Sequence, residues 1–367
     1  MTRVRPAGAG GDRQSSPPTE FARRLLAWFD HHGRHDLPWQ NPRSGYRVWV
    51  SEVMLQQTQV ATVIPYFQAF MARFPTVADF AAADSDAVMQ HWAGLGYYAR
   101  ARNLHAAARQ IVAEHGGELP ADPAALQALP GIGRSTAGAI AAQAFGRRAA
   151  MLDGNAKRVL ARLHAERGAP GESAWEKRLW AHAEHHTPYQ RLADYTQAIM
   201  DLGATVCGRG QPACDRCPVT DLCAARRAGI EAEIPAPRKR RQRPIRCTRM
   251  LVLRRADDQL LLHRRPPAGI WGGLWALPEL PDDAEPVDYC RRQLGVEPLS
   301  AGEELTEVQH GFTHFQLHIR PLALRVRDGA GIMDDDQQLA WHPRTRPPAL
   351  PAPLARLIRQ LPGDEST

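Results

Sequence analysis

No apolar run in the 367-residue chain approaches the roughly 20 residues that a bilayer-spanning helix needs. The first 18 residues have no apolar h-region. They are rich in Gly, Pro, Arg and Ser, which excludes a secretory signal and predicts a disordered tail at 1–18. Cysteine is scarce: six residues, two of which (Cys247 and Cys290) stand isolated. That is no disulfide framework, and a location in a reducing cytoplasm is expected. Negative charge is outweighed, 39 Asp and Glu against 46 Lys and Arg, for a formal net charge of +7. Such a balance fits equally a basic soluble protein and an electrostatic preference for a polyanion, of which nucleic acid is the commonest. No internal repeat is visible.

The other four cysteines are concentrated in one short stretch. Cys207, Cys214, Cys217 and Cys223 are spaced C-x6-C-x2-C-x5-C. Thiolates this close together cannot all pair as disulfides without strain, but they can converge on one metal centre. A zinc ribbon would bring two C-x2-C knuckles together from a distance. One x2 pair with two longer local arms favours a cubane iron–sulfur cluster, with zinc as the lesser reading.

Apolar spacing divides the chain. From Thr19 to Ala228 the period is helical. Thr19 is a suitable N-cap, Phe21, Leu25, Trp28 and Phe29 share a face, and Gly33 ends the run. Further helices are expected at 48–74 (broken near Pro65), 87–92, 102–115, 124–129, 135–145, 155–165, 175–186 and 192–202. Residues 229–247 read as a linker, and seven of the twelve residues in 238–249 are Arg or Lys. Beyond it the period becomes two. Residues 251–255 and 259–264 flank an Asp257–Asp258 turn. Phe315, Leu317 and Ile319 alternate with polar residues, and the apolar phase switches after Pro321, which predicts a bulge. A helix carrying Leu354, Leu357, Ile358 and Leu361 closes this α+β half.

Leu129-Pro130-Gly131-Ile132-Gly133-Arg134-Ser135 lies between two helical segments. Gly131 and Gly133 allow a tight turn with positive φ, and the next helix opens at Ser135 with its amides exposed, a geometry suited to a phosphate oxygen. Glu52 sits among Val48, Trp49, Val50, Val53, Met54 and Leu55, surroundings that raise a carboxyl pKa toward the range of a general acid. Gln56 and Gln59 are expected on the same helix face as Glu52, with Gln57 pointing elsewhere. Asp153 precedes the helix that begins near Asn155, where capping favours an ionised carboxylate.

Together, SEVMLQQTQV at 51–60, GLGYYAR at 94–100, LPGIGRSTAG at 129–138, LDGN at 152–155 and the four-cysteine loop resemble adenine DNA glycosylases of the MutY family, in order and spacing. The resemblance implies an all-α helix-hairpin-helix glycosylase domain at 19–228 with a 4Fe–4S loop at 207–223, and a Nudix-like 8-oxoguanine recognition domain at 248–362. It implies a monofunctional enzyme of base excision repair, a hydrolase that removes adenine mispaired with 8-oxoguanine or guanine in double-stranded DNA, acting as a monomer. Glu52 matches the catalytic acid, which protonates adenine at N7 and then activates water. Asp153 matches the aspartate that stabilises the oxocarbenium-like sugar. Tyr97 and Gln57 match residues that wedge into the gap. Arg34, Arg100, Gly131, Gly133 and Ser135 are expected on DNA, and Phe312, Thr313 and His314 match the lesion-reading loop, commonly Phe-Ser-His. Ser135 stands where bifunctional relatives such as endonuclease III carry a Schiff-base lysine.

Gly273 to Glu279 keeps a Nudix G-x5-E spacing. Arginines and a glutamine in 287–293 replace the metal-holding glutamates, so nucleotide pyrophosphohydrolysis is not expected. The alternatives to the glycosylase reading are a bifunctional glycosylase/lyase and a non-catalytic DNA-binding protein gated by its cluster.

Overall fold

A computed structural model describes residues 17–237, 242–327 and 338–362. Residues 1–16 of the tail expected at 1–18, and the central part of the basic linker, 238–241, lie outside the described residues. Among the described residues twelve α-helices precede the first strand: α1 (Glu20–His32), α2 (Gly45–Leu55), α3 (Val60–Arg73), α4 (Val77–Ala82), α5 (Ser85–Trp92), α6 (Ala99–His115), α7 (Pro123–Ala128), α8 (Arg134–Phe145), α9 (Gly154–Leu163), α10 (Ser173–His186), α11 (Leu192–Thr205) and α12 (Ala224–Arg227). Side-chain caps mark several starts. Thr19 accepts from the Ala22 amide at 3.2 Å, Ser44 from Arg47 at 3.2 Å and Asp122 from Ala125 at 2.9 Å.

Three differences from the sequence reading have local causes. Pro65 lies inside α3 and does not break it: the helix runs on to Arg73 with one backbone hydrogen bond missing. The break falls instead at 56–59, where Gln57 takes φ 59°. Gln56 is therefore the C-cap of α2 and Gln59 the N-cap of α3, and the expected row of Glu52, Gln56 and Gln59 on one helix face does not form. The short helix α4 was not expected. It is held by Phe80, which packs with Phe70 and Phe74 at centroid distances of 5.0 and 5.5 Å, all three fully buried.

The chain gathers into two compact units, one within Met1–Ala81 and Ala106–Lys239, the other within Ala82–His105 and Arg240–Thr367. Residues 82–105, expected with the helical half, thus group with the C-terminal half. Polar contacts inside that unit account for this: Arg264 meets Asp86 at 2.7 Å, and Arg102 donates to the Gly272 carbonyl at 2.5 Å.

In the first unit α1, α9, α10 and α11 enclose a core that includes Leu25, Leu160, Trp175, Leu179 and Leu202. Each such fully buried side chain contributes about 1.5–3 kcal/mol. Helix α8 is built of small residues and approaches its neighbours closely. A Cβ at Gly138 would stand 2.1 Å from the Ala150 carbonyl oxygen, so no larger residue fits there.

Among the described residues the second unit holds eight strands: β1 (Ile245–Arg254), β2 (Gln259–Arg264), β3 (Trp275–Ala276), β4 (Glu279–Leu280), β5 (Glu303–Glu304), β6 (Val308–Gly311), β7 (Gln316–Arg325) and β8 (Leu339–Pro343). The main path runs β3-β2-β1-β7-β5, with β4 on β1, β6 on β7 and β8 on β2. Strand β1 begins at Ile245, inside the segment read as linker. Strands β1 and β7 pair in parallel over ten residues without interruption, so the bulge expected at Pro321 is absent from that pairing. The phase switch has another cause. Strand β7 changes its antiparallel partner near Pro321, from β6 (up to Val308↔Ile319) to β5 (Glu304↔Leu322). Helix α13 (Pro286–Tyr289) runs into a π turn at Cys290–Leu294, and α14 (Ala352–Gln360) closes the unit.

Candidate active site

Glu52 lies on α2, which packs against α8. Its neighbours Trp49, Val50, Val53 and Met54 are buried. Protein atoms surround the carboxyl densely although the residue keeps some accessible surface. This burial pushes its pKa up from 4.5 to about 7, the nearby Asp153 charge adds to the rise, and a hydrogen bond from Gln143 opposes it. That bond runs from Gln143 Nε2 to Glu52 Oε1 at 2.9 Å. Glu52 is thus a carboxyl that is substantially protonated near neutral pH, the property a general acid requires.

Asp153 is the N-cap of α9. Its Oδ1 accepts from the amides of Asn155 at 3.0 Å and Ala156 at 2.7 Å, and its Oδ2 from Asn155 Nδ2 at 3.2 Å. The expected preference for ionisation is only part of the balance. Burial raises its pKa above the usual carboxylate value, and the amide donors with Arg158 pull it back. All three hydrogen-bonding partners are donors, so each favours the anion.

Behind Asp153, α9 carries two arginines that the sequence reading did not select. Arg158 donates to Asn155 Oδ1 at 2.9 Å, Gly203 O at 2.6 Å and Cys207 O at 2.6 Å. Arg162 donates to Gly208 O at 2.8 Å and to Cys207 Sγ at 3.2 Å. Both are buried. A hydrogen-bonded path therefore runs from the cysteine loop through Arg158 and Asn155 to Asp153. The signal was present as two arginines four apart in KRVLARL, a spacing that also suits an exposed stripe.

The four cysteines of the loop are all free thiols. They line one small hollow together with Val159, Leu163, Leu202, Val206 and Val219. Burial raises the thiol pKa of Cys217 to about 11 and shifts Cys214 and Cys223 upward as well. Among the described residues no group of three or more His, Cys, Asp or Glu converges as the ligands of a single metal ion would.

The hairpin between α7 and α8 has one glycine in the left-handed region, Gly131 at φ 78°. Gly133 is extended at φ −87° and is the N-cap of α8, so only the first uses glycine's freedom of φ. A Cβ at Gly133 would meet no protein atom, which leaves the face before α8 open. The Ser135 hydroxyl accepts from the Leu152 amide at 3.1 Å and so joins the hairpin helix to the segment leading into Asp153.

Two residues expected to wedge into DNA share an unusual backbone. Gln57 (φ 59°) and Tyr97 (φ 49°) both occupy the left-handed region without being glycine, and both are exposed, Tyr97 by 49%. Such strain costs about 1 kcal/mol or more at each position and concentrates at functional sites.

Two residues expected on DNA have protein partners in the structure. Arg100 is buried, and it donates to the carbonyls of Leu95 and Gly96 at 3.1 Å with its guanidinium over Trp92, so it braces the loop that presents Tyr97. Arg34 is held by the buried Asp201, with Nη2 at 2.6 Å and Nε at 2.9 Å from Oδ1.

In the C-terminal unit, Phe312 N donates to Phe315 O at 2.9 Å and closes a four-residue turn between β6 and β7. Thr313 and His314 form its exposed tip. Phe312 stacks on Phe315 at 4.5 Å and meets Trp271 at 5.7 Å, so it anchors the tip. Glu279 of the G-x5-E spacing is paired with Arg265 at 2.5 Å.

Comparison with known proteins places both halves of the chain among known domains. The family model of the HhH-GPD superfamily base excision DNA repair protein matches residues 50–185, and that of the NUDIX domain matches 249–360. The adenine DNA glycosylase of Homo sapiens is 37% identical over 83% of this chain and 67% of its own length. That of Buchnera aphidicola subsp. Baizongia pistaciae is 31% identical over 93% of this chain and 96% of its own. A solved structure of a thermostable thymine-DNA glycosylase superposes with a TM-score of 0.51 at 27% identity, over 57% of this chain and 95% of that one.

Proposed function

Because this chain belongs to the adenine DNA glycosylase family, we propose that it hydrolyses the N-glycosidic bond of adenine mispaired with 8-oxoguanine or guanine in duplex DNA, as the first step of base excision repair. The observation that carries the reading is the pair Glu52 and Asp153: one carboxyl with its pKa raised to about 7, the other bound by three N–H donors. Adenine leaves the stack before chemistry, since the bond to be broken is not reachable inside a duplex. Glu52 gives its proton to adenine N7, which turns the base into a neutral leaving group as the bond to the sugar breaks. The Asp153 carboxylate opposes the developing positive charge of the sugar. Glu52, now anionic, takes a proton from the water that adds to the sugar carbon. Adenine and an abasic site result. Ser135 offers no amine for a Schiff base, so strand cleavage is not part of the reaction.

Gln57 and Tyr97 are the groups we place in the gap left by the flipped base, and the hairpin at Gly131 and Gly133 on a phosphate. Thr313 and His314 are placed on the 8-oxoguanine. Threonine supplies the hydroxyl with one additional methyl.

We assign Cys207, Cys214, Cys217 and Cys223 to a 4Fe–4S cluster. Four thiols that line one hollow, in a C-x6-C-x2-C-x5-C order with a single x2 pair, support a cluster over the paired C-x2-C knuckles of a zinc ribbon. The Arg162 N–H directed at Cys207 Sγ would stabilise a thiolate. When bound, the cluster supplies a covalent tie between the ends of the loop. The exposed Arg209 and Arg216 on that loop are available to phosphates.

The test is single-turnover base release from duplexes carrying A:8-oxoguanine, A:G, A:T and C:8-oxoguanine. Release of adenine from the first two and nothing from the others is expected. Equal rates on A:T would overturn the reading, and borohydride trapping of a covalent DNA adduct would favour the bifunctional alternative.

A further inference from the structure

From 137 to 145, α8 consists of Ala, Gly, Ile and Phe with one exception, Gln143. Its side chain is only 5% exposed, in the packing between α8 and α2. Burying an amide is costly unless it is hydrogen-bonded. Here its Nε2 donates to Oε1 of Glu52 at 2.9 Å. An N–H donor occupies a lone pair of the oxygen it faces and cannot accept a proton in return. Glu52 therefore has two unlike oxygens before any substrate arrives: one committed to Gln143, one not.

We infer that Gln143 is a positioning residue that decides which oxygen of Glu52 carries the transferable proton, reserving Oε1 as an acceptor and leaving the proton to Oε2. The inference rests on the reading of Glu52 as the acid. The bond has a second consequence. Once the proton has gone to adenine, the same N–H stabilises the carboxylate on Oε1, while Oε2 is free to take a proton from water. Acid and conjugate base thus keep one orientation through both steps. Among the described residues the charged group that acts on Glu52 is Asp153, at the N-cap of α9, and it disfavours the anion. Gln143, on α8, favours it.

The experiment uses the full chain and a duplex carrying A:8-oxoguanine. Single-turnover adenine release is followed from pH 6 to 9 for wild type, Gln143→Met, Gln143→Glu and Glu52→Gln, with duplex affinity measured beside it. Methionine fills similar space without a donor. Its plateau rate is expected to fall about tenfold or more. Its alkaline limb should move up by about one pH unit because a bond that lowers the Glu52 pKa is gone. Duplex affinity should not change. Glutamate donates only when protonated, so Gln143→Glu should regain rate on the acid side alone, a dependence that a purely structural role does not produce.

A folded Gln143→Met protein with wild-type plateau and alkaline limb, beside an inactive Glu52→Gln, would overturn the inference and leave the glycosylase reading intact. If Gln143→Met fails to fold, a Gln143→Glu protein with a wild-type pH profile overturns it equally. Wild-type release by Glu52→Gln would remove the premise, and the inference with it.

Discussion

Arg158 Nε lies 2.6 Å from the carbonyl oxygen of Cys207, and the same guanidinium reaches Gly203 O and Asn155 Oδ1. One buried side chain thus holds the start of the cysteine loop, the end of α11 and the residue whose amide is bonded to Asp153. Replacing Arg158 by methionine would leave these acceptors unpaired at roughly 1 kcal/mol each, a loss of about 3 kcal/mol. Thermal unfolding should show a midpoint lowered by roughly 6–12 °C. The milder Arg158→Lys should recover part of it, since one ammonium cannot reach all three acceptors in the guanidinium's planar arrangement.

Gln57 presents the opposite case. Its φ of 59° is strained for any residue but glycine. Gln57→Gly should leave stability unchanged or raise it by about 0.5–1 kcal/mol, while weakening binding to A:8-oxoguanine duplexes by about tenfold through loss of the wedge. Calorimetry and a binding titration separate the two effects. A loss of stability together with affinity would mean that the side chain is structural.

Acid should unfold the helical unit through a histidine network. His164 Nε2 and His186 Nε2 are 2.9 Å apart, His186 Nδ1 is 3.0 Å from Thr19 Oγ1, and His164 stacks on His182 at 3.7 Å. Burial first, then the neighbouring rings, lower His164 to about 4 and His186 to about 3. A depressed imidazole pKa means that the unfolded chain binds the proton first. Stability is therefore full above about pH 6.5 and falls as pH drops toward 4, on the order of 3 kcal/mol per ring at full loss. Replacing His186 by asparagine should flatten that slope in denaturant titrations between pH 4.5 and 6.5.

Thr313 and His314 at the exposed turn should govern discrimination and not chemistry. Alanine at both positions is expected to lower the preference for A:8-oxoguanine over A:G by about tenfold, with the limiting rate on A:G unchanged. An equal loss on both substrates would place the turn on the DNA backbone instead.

Much of this was legible in the sequence because local patterns carried it. Helix caps, the hairpin at Gly131, the change of period after the linker and the position of Glu52 among large apolar residues all read directly. Features set by distant partners did not. Whether Arg100 faces a phosphate or its own loop depends on the carbonyls of Leu95 and Gly96, and whether Arg34 is available depends on Asp201, far along the chain. The break between α2 and α3 went to Gln57, whose left-handed φ of 59° leaves the helical path, and not to Pro65, which α3 carries in its interior. Gln143 was the clearest missed signal, a lone amide in a stretch of alanines, and nothing near it in sequence names its partner.

Adenine release by Glu52→Gln under single turnover, compared with wild type from pH 6 to 9 on an A:8-oxoguanine duplex, tests the central claim most directly. With the acid near pKa 7, the wild-type rate should decline as pH rises through about 7 to 8. The amide variant should bind the duplex normally and lose at least about a hundredfold in rate at every pH. A variant that releases adenine at the wild-type rate, with the same pH profile, would contradict the account.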